Sequence, residues 1–481
     1  MKLIFINRFF YPDHSATSQM LSDLAFALAH DHSVLVITSR QRYDAPEVTL
    51  APFERIDGVD IHRVRTTHFG RSNLLGRGID YLTFYLTAAA AAWRYARRDD
   101  IVIAKTDPPM LSVVIAPIVR LRRAKLINWI QDLFPEVAES LSVKHGPLTR
   151  PVYGALKFLR DRSFKHATRN VAIGKRMAER LQALGVPEGR IEIIPNWADG
   201  TLVRPVHAAD NSFRAEHRLE DVYVVGYSGN LGRAHDTETI VAAMEFIEQR
   251  QSGSIAPARS VVNGSSQTQS SLTHTPGLMG SRPIKWLFVG GGAQFERLKH
   301  ETKKRNITSV IFAPYQPRER LSEGLSAADV HLISLRPELE GLIVPSKYYG
   351  IAAAGRPAIF IGDSDGEIAR ILTESGTGAV VAQGDGEALA EIVLGMAIDA
   401  ANAEEMGHRA RSLFEREFDW PYALARWREL IDDEQQRPAS GFPKRRDTAN
   451  LLTQLAPIML LHIVIAYCEA PANCLGLYSC R

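Results

Sequence analysis

Cysteine is nearly absent from the chain: Cys468, Cys474 and Cys480 are the only three, and all lie in the last fourteen of the 481 residues. No disulfide framework can therefore hold the main body together, which is consistent with a reducing cytoplasm. An excess of charge is also lacking, because 57 Lys and Arg residues stand against 54 Asp and Glu residues, a net charge of +3. This balance provides no protein-wide field that would favour nucleic acid as a partner.

Long hydrophobic runs are missing as well. The longest candidate, residues 455–468, contains Pro457 and His462 and falls short of the ~20 residues that a membrane-spanning helix needs. The apolar run at residues 1–7 is too short for the core of a signal peptide. We therefore predict a protein that is soluble or peripheral, placed in the cytoplasm or on the inner face of the cell membrane.

What the sequence does contain is an alternation of short β-rich runs with longer helical runs. In the first 200 residues, strands are predicted at 3–6, 33–38, 59–64, 101–105, 125–130, 170–173 and 191–194, with helices such as 18–29 and 81–97 between them. The strands are continuously apolar, which is typical of a parallel sheet covered by helices on both faces.

A second series of the same kind follows a Pro- and Gly-bounded link at residues 195–200. Its strands are predicted at 223–227, 284–289, 310–312, 330–333, 358–361 and 379–381, with helices such as 237–249 and 387–400. We predict two α/β domains, 1–198 and 199–415, that face each other across a ligand-binding cleft. Residues 416–435 should pack back on the first domain, 251–282 should form a flexible insert, and 436–481 should be an appended tail.

Two glycine-rich turns follow strands of the second domain. Gly290, Gly291 and Gly292 could bring backbone amides close to a phosphate, although Phe295 breaks a dinucleotide-binding fingerprint and a plain tight turn is the alternative. Residues 226–233 end in Arg233 at the start of a helix, which suits a pyrophosphate. The alternative for that segment is a solvated loop.

Two segments bring carboxylates to strand ends. Residues 337–347 contain Glu338, Glu340, Gly341 and Lys347, so they offer carboxylates for sugar hydroxyls and a point charge for phosphate. An ordinary exposed loop is the alternative. At 129–136, Asp132 and Glu136 are expected to face the cleft, where a general base could act; a turn residue and a first-turn helix acid are the alternatives. No clustered His or Cys pattern indicates a metal.

Several of these segments together resemble retaining glycosyltransferases of family four. The segments are Gly229-Asn230-Leu231, Ile194-Pro195-Asn196-Trp197, Phe288-Val289-Gly290-Gly291-Gly292, and Pro345-Ser346-Lys347 through Ala353-Ala354-Gly355-Arg356-Pro357. The resemblance covers roughly residues 1–435. Within the family, this sequence is similar to the bacterial branch that builds O-antigen or exopolysaccharide. It implies the GT-B architecture, in which two Rossmann-like parallel-sheet domains face a cleft and the C-terminal domain holds a nucleotide-sugar donor.

The resemblance also assigns roles to individual residues. Glu338, three residues before Gly341, would contact the sugar hydroxyls of the donor. The family's second Glu, which contacts the ribose, falls on Gly350 or Ser346, and its basic pair falls on Asn230 and His235, so this sequence departs at each position. Arg233 and Lys347 are the substitutes for the charge at the pyrophosphate, and the backbone amides of Gly341, Leu342 and Ile343 are further candidates to stabilise it. The remaining predicted donor-binding residues are Gly229, Asn230, Gly290, Gly291, Tyr315, Gly341, Leu342 and Ile343.

The function implied is transfer of a hexosyl or N-acetylhexosaminyl group to an acceptor hydroxyl, with retention and without a cofactor or metal. Asp132 occupies the place where many members have a histidine near the reacting carbon. The acceptor should be lipid-linked, because basic residues interleaved with apolar ones at 120–125 and 144–169 fit an anionic membrane surface. A nucleotide-sugar epimerase and a catalytically inactive scaffold of the same fold are the alternatives.

Overall fold

The computed structural model describes residues 1–43, 45, 47–69, 74–141, 149–251 and 282–437. Most of the predicted insert at 251–282 and of the tail at 436–481 lies outside these residues, as do Lys144 and His145 of the predicted basic surface. Among the described helices, none combines the length and the apolar character needed to cross a bilayer.

The first domain is built on a sheet of eight strands in the order β3-β4-β2-β1-β5-β6-β7-β8. The strands are β1 (Lys2–Ile6), β2 (Ser33–Ser39), β3 (Phe53–Ile56), β4 (Val59–Val64), β5 (Ile101–Lys105), β6 (Lys125–Ile130), β7 (Arg169–Ala172) and β8 (Ile191–Ile193). All pair in parallel except β3 and β4. The predicted parallel sheet is confirmed, because strands buried on both faces must be apolar throughout.

Helices cover both faces of this sheet. They are α1 (Ala16–Leu28), α2 (Leu74–Tyr95), α3 (Leu111–Arg122), α4 (Glu136–Leu141), α5 (Thr149–His166) and α6 (Lys175–Ala183). One face packs around Phe84, Tyr85 and Ile115, and the other around Leu21, Leu24 and Trp129. The carboxyl ends of β1, β5 and β6 therefore point toward the same edge, which is where an α/β sheet binds ligands.

The second domain is a parallel sheet of six strands in the order β11-β10-β9-β12-β13-β14. The strands are β9 (Tyr223–Asn230), β10 (Ile284–Gly291), β11 (Val310–Ala313), β12 (Val330–Ser334), β13 (Ala358–Ile361) and β14 (Gly378–Val381). Its helices are α7 (Ser212–Glu216), α8 (Glu238–Gln251), α9 (Phe295–Lys304), α10 (Leu321–Ser326), α11 (Lys347–Ala353), α12 (Glu367–Ser375), α13 (Gly386–Ile398) and α14 (Ala400–Glu417).

The last described helix, α15 (Trp420–Gln436), returns to the first domain. Its Trp427 packs on Trp129 with ring centroids 4.8 Å apart. Glu434, which is buried, pairs with Arg169 at 3.1 Å. The chain therefore crosses between the domains twice, once near residue 198 and once near residue 419, where Ala198 and Asp419 form a β-bridge.

Candidate functional site

A cavity opens between the two domains and encloses about 1330 Å³, counting its open mouth. The first domain and the link supply Ala16, Gln19, Met20, Asp23, Asn196, Trp197, Ala198, Asp199, Leu202 and Val203. The second domain supplies Ser228, Gly229, Val289, Tyr315, Gln316, Arg318, Leu321, Gly324, Leu325, Ser346, Lys347 and Gly350. Three predicted site residues, Gly229, Tyr315 and Lys347, thus lie on one cavity wall.

The turn that joins β9 to α8 leaves backbone N–H groups free. Among the described residues, the amides of Gly232, Arg233 and Ala234 donate to no protein acceptor, and the half-buried side chain of Arg233 makes no ion pair. Successive free amides at the edge of a parallel sheet bind anions, and an adjacent arginine adds positive charge. This turn therefore has the composition of a phosphate site.

Lys347 is held toward the same turn by two acceptors. Its Nζ donates to the carbonyl oxygen of Asn230 at 3.1 Å and to Nε2 of His235 at 3.2 Å. Nδ1 of His235 lies 2.6 Å from the carbonyl oxygen of Ser334, which can only accept, so Nδ1 carries the proton and Nε2 is the acceptor. Burial, reinforced by the charge of Lys347, lowers the pKa of His235 well below its usual value. A neutral imidazole therefore orients the ammonium group.

The glycines of the neighbouring strand are required by the sheet. Gly290 and Gly291 lie inside β10 and pair with Gly229 and Asn230. Gly290 has φ of +136°, and a Cβ there would lie 2.2 Å from the carbonyl oxygen of Gly229. Close packing of β9 on β10 thus requires this glycine, and its donor-binding role stays a prediction. The ring of Tyr315 lies close to Gly291, since a Cβ added at Gly291 would be 3.1 Å from that ring.

The acidic segment places its two carboxylates in different surroundings. Glu338 is half-exposed, with its carboxylate 3.9 Å from Arg336. Glu340 is buried, and its Oε1 accepts from the amides of Glu367 at 2.8 Å and Gly341 at 3.2 Å. Glu340 therefore caps the first turn of α12, whereas Glu338 keeps its carboxylate available to a ligand. Burial raises the pKa of Glu340.

The backbone amides after Glu340 were predicted to stabilise phosphate, and the structure corrects this. The amide of Gly341 donates to Glu340, that of Leu342 donates to the carbonyl of Leu339 at 3.0 Å, and that of Ile343 donates to the same carbonyl at 3.4 Å. All three are already engaged within the protein.

Gly341 is required for domain contact instead. Its φ is +72°, and a Cβ there would lie 2.6 Å from Nε of Arg180 on α6, a helix of the first domain. Arg180 also donates to the carbonyl oxygen of Glu340. Next to it, the amide of Arg176 donates to the carboxylate of Glu367 at 2.9 Å. Helix α6 thus fastens the first domain to the acidic segment of the second.

Asp132 belongs to the same contact between the first domain and the acidic segment of the second. The amide of Leu133 donates to the carbonyl of Leu342 at 2.9 Å, and Asp132 forms a β-bridge with Ile343. The carboxyl group itself enters a small cavity of the first domain, beside Lys105, Thr106 and Arg160, and does not line the inter-domain cavity. Burial raises the pKa of Asp132 to about 7, while a hydrogen bond from Thr106 opposes this. Its Oδ1 has no partner.

Glu136 was predicted to face the cleft, but the structure places it elsewhere. It forms an ion pair with Arg160, whose Nη2 donates to its Oε1 at 2.8 Å. Arg160 also donates to the carbonyl of Phe134 at 3.0 Å. Glu136 therefore fixes α5 beside the turn that carries Asp132.

Family comparisons agree with this architecture. Residues 16–197 match the glycosyl transferase 4-like domain, and residues 209–413 match the glycosyl transferases group 1 domain. The two matches join at the link between the sheets and together cover most of the chain. The chain is a GT-B glycosyltransferase.

Relatives of this glycosyltransferase share modest identity. The chain is 27% identical over 332 residues to the probable glycosyltransferase WbjE of Pseudomonas aeruginosa, covering 68% of this chain and 74% of the relative. It is 23% identical to the putative colanic acid biosynthesis glycosyl transferase WcaI of Escherichia coli K12, over 44% of this chain and 45% of the relative. Together with the family matches, these relatives confirm the expected membership of the GT-B glycosyltransferases.

Solved structures share the fold of this glycosyltransferase. Sucrose-phosphate synthase from Thermosynechococcus elongatus superposes with a TM-score of 0.66 at 18% identity, over 90% of this chain and 98% of the other. Anabaena HepE, solved in complex with UDP-glucose, superposes with a TM-score of 0.61 at 16% identity, over 90% of this chain and all of the other. At such identities the likeness establishes the fold alone.

Sequence analysis left three charged cavity residues of the glycosyltransferase unassigned: Asp23, Asp199 and Arg318. Asp23 on α1 is half-buried and hydrogen-bonds to no described residue. Burial raises its pKa, and the charge of Arg318 on the opposite wall opposes this. Asp199 is hydrogen-bonded within its own loop, because its Oδ1 accepts from the amide of Thr201 at 2.7 Å. In the sequence, only its polar position on the amphipathic α1 could have indicated Asp23 as a site residue, because Arg318 on the opposite wall comes from the other domain.

Proposed function

We propose that this glycosyltransferase moves a sugar from a nucleotide-diphosphate sugar to an acceptor hydroxyl, with retention at the anomeric carbon. The observation that carries the proposal is the turn after β9: its free amides and Arg233 follow Gly229, which lines the inter-domain cavity, and the oriented ammonium of Lys347 is held against the same turn. Such a cluster fits a diphosphate. The complex of the similarly folded HepE with UDP-glucose supports a donor of this class.

The proposed chemistry follows from the charges. As the bond from the sugar to the diphosphate breaks, negative charge grows on the leaving oxygen and positive charge on the sugar ring. Lys347 and Arg233 would stabilise the leaving diphosphate, and Lys347 lowers the barrier further because its position is fixed before the reaction. The acceptor attacks from the face that the leaving group vacates, so no covalent nucleophile is assigned. No metal or cofactor is included in this proposal.

Two carboxylates have proposed roles around the sugar. Glu338, which is half-exposed, would accept hydrogen bonds from donor hydroxyls. Asp132 would act from the first domain in proton transfer or in stabilising the developing cation, since a carboxyl group with a pKa of about 7 changes protonation near neutral pH. Its β-bridge to Ile343 holds it beside the acidic segment that contains Glu338.

We further propose a lipid-linked saccharide as acceptor, in surface polysaccharide biosynthesis at the inner face of the cell membrane. The relatedness to WcaI, named for colanic acid biosynthesis, supports a polysaccharide product. Exposed basic residues on the first domain, among them Arg123, Arg150 and Arg162, support attachment to an anionic leaflet. Each basic residue near such a surface contributes ~1 kcal/mol, so several together give reversible binding.

The proposal is tested by incubating the protein with a panel of nucleotide-diphosphate sugars, with and without bacterial lipid extract. Nucleotide release that depends on the extract, with sugar appearing in the lipid fraction, is the expected result. Isomerised donor without acceptor would instead indicate an epimerase, and no change under any condition would indicate an inactive scaffold. Lys285→Gln, a surface change on β10, serves as the matched control for Lys347→Gln in the same assay.

A further inference from the structure

Helix α2 (Leu74–Tyr95) carries an apolar stripe on its outer face. Ile79, Leu86 and Trp93 are 36%, 48% and 50% exposed, and Leu82 and Ala90 complete the row. The spacing of three and four residues puts all five on one side of the helix. The row extends over about 21 Å at 1.5 Å per residue.

The fold does not use this stripe. The opposite side of α2 supplies Phe84, Tyr85, Ala88 and Ala92 to the core of the first domain, and α2 packs there against β2, β4 and α3. An amphipathic helix needs one apolar side for its own domain, and α2 has two. A continuous exposed apolar patch of this kind marks an interaction surface.

Positive charge surrounds the end of the stripe. Arg94, Arg97 and Arg98 are exposed, and the guanidinium of Arg122 lies 5.3 Å from the centre of the Trp93 ring. Arg122 also donates to the carbonyl of Ala96 at 2.8 Å, so it is fixed there.

The acidic residues nearby cancel only part of this charge. Asp80, the one acidic residue of α2, is buried. Asp99 is exposed but pairs with Arg98 at 3.5 Å. The exposed side of α2 therefore offers no carboxylate with which the arginines of a second copy could pair, and anionic phosphate is the counter-charge that fits.

We propose that α2 lies flat on an anionic bilayer, with Ile79, Leu86 and Trp93 among the acyl chains and the neighbouring arginines at the headgroups. An interfacial helix combines such a stripe with basic residues, and tryptophan and arginine favour the boundary between lipid and water. The inference deepens the proposed function, on whose membrane-bound acceptor it rests, by naming the surface that meets the membrane.

The test is flotation of the full chain with vesicles of phosphatidylcholine, alone or mixed with phosphatidylglycerol. The variant Ile79→Ser/Leu86→Ser should bind the mixed vesicles about tenfold or more weakly than the natural chain. Ile398→Ser is the matched control, because Ile398 is 69% exposed at the end of α13 in the other domain; it should bind as the natural chain does. High salt should weaken binding of all three proteins.

A second readout follows Trp93 directly. It is the one exposed tryptophan of the six, all of which the structure describes. Brominated lipid should therefore quench the tryptophan fluorescence of the natural chain and not that of Trp93→Phe. Equal flotation of the double variant and the natural chain would overturn the proposal. So would a dimer, seen by light scattering, that the double variant disrupts while vesicles have no effect.

The inference and the proposed function can fail separately. Release of nucleotide with a water-soluble acceptor should be unchanged in Ile79→Ser/Leu86→Ser, because no residue of the stripe lines the inter-domain cavity. A natural chain that floats with anionic vesicles but releases no nucleotide would support the surface and contradict the proposed function.

Discussion

At the scale of single residues, the account depends on how Lys347 is held. The sequence indicated its charge, but the neutral His235 that orients it comes from a segment more than a hundred residues away. Contacts across such distances are fixed by the packing of β9 and β12, which residue spacing does not reveal. The amides of Gly341, Leu342 and Ile343 were assigned to phosphate because residue spacing also does not reveal the local turn in which they donate to Glu340 and Leu339.

Lys347→Gln should lower turnover by about 10²–10³-fold, because a fixed charge at the leaving diphosphate is lost. His235→Asn should lower turnover less, since Lys347 would keep its charge and lose one of its two orienting acceptors. Rates of nucleotide release measured per folded molecule check both. Equal rates for Lys347→Gln, Lys285→Gln and the natural chain would contradict the assignment.

Glu338→Gln and Glu340→Gln form a matched pair two positions apart in the acidic segment. Glu338→Gln should reduce turnover strongly and leave the melting temperature unchanged, because an exposed charged hydrogen-bond acceptor to the donor is lost. Glu340→Gln should destabilise the fold by about 1 kcal/mol, because it weakens the cap of α12. Thermal unfolding beside the rate assay separates the two. A stable, fully active Glu338→Gln protein would remove Glu338 from the site.

Asp132→Asn should reduce transfer by about 10²-fold if the carboxyl group acts in proton transfer or cation stabilisation. Its pKa, raised from 3.8 to about 7, means that the folded state holds the proton more tightly than the unfolded state does. From pH ~4 to ~7 the unfolded state is ionised while the folded state still holds the proton, so stability falls as the pH rises, and the asparagine variant should lose less stability across this window than the natural chain. A variant that is less stable but transfers sugar normally would assign Asp132 to the turn alone.

His331 gives a dependence of stability on pH with the opposite sign. Burial lowers its pKa from 6.5 to about 4, so below the unfolded pKa the unfolded state binds more protons. Stability should fall as the pH falls from ~6.5 toward ~4, by about 3 kcal/mol in total for this group. Urea unfolding at several pH values should show a shallower fall in His331→Gln. Parallel curves for the two proteins would contradict the prediction.

At the scale of elements, the sequence located the buried parallel strands because continuous apolar runs bounded by turns leave little choice. It missed β3, whose residues are mostly exposed, although Asp57-Gly58 with φ of +45° and +82° forms the hairpin turn. It also predicted that α2 begins at residue 81 instead of Leu74, because the apolar residues on the outer face of the helix hide the periodicity that would show where it begins. Helix ends and edge strands depend on neighbours, and apolar periodicity describes only the buried face.

Helix α15 defines where the chain can be shortened. Nζ of Lys125 donates to the carbonyl of Arg437 at 2.6 Å and to that of Glu434, so an end at Gln435 would cut into this contact. A chain ending at Arg437 should keep its melting temperature and its rate, whereas one ending at Glu417 should not fold, because Trp427 and Ile431 would leave the core. Loss of folding in the longer of the two would show that residues 438–481 stabilise the body.

At the scale of the whole molecule, two sheets point their carboxyl edges at one cavity and are joined there by α6, the acidic segment and two chain crossings. The proposed donor site belongs to the second domain, and α2, the helix proposed to lie on the membrane, belongs to the first. The sequence predicted two α/β domains because each repeats the same strand and helix pattern. Which polar groups meet inside the cavity could not be predicted, because they come from both domains.

The most direct test of the central claim is calorimetric titration of nucleoside diphosphates, with UDP, GDP and dTDP as probes. The account predicts one saturable site for at least one of them, weakened about tenfold or more in both Lys347→Gln and Arg233→Gln and unchanged in Lys285→Gln. Binding of equal strength in all four proteins, or no binding of any diphosphate, would contradict the claim that the turn after β9 holds the leaving diphosphate.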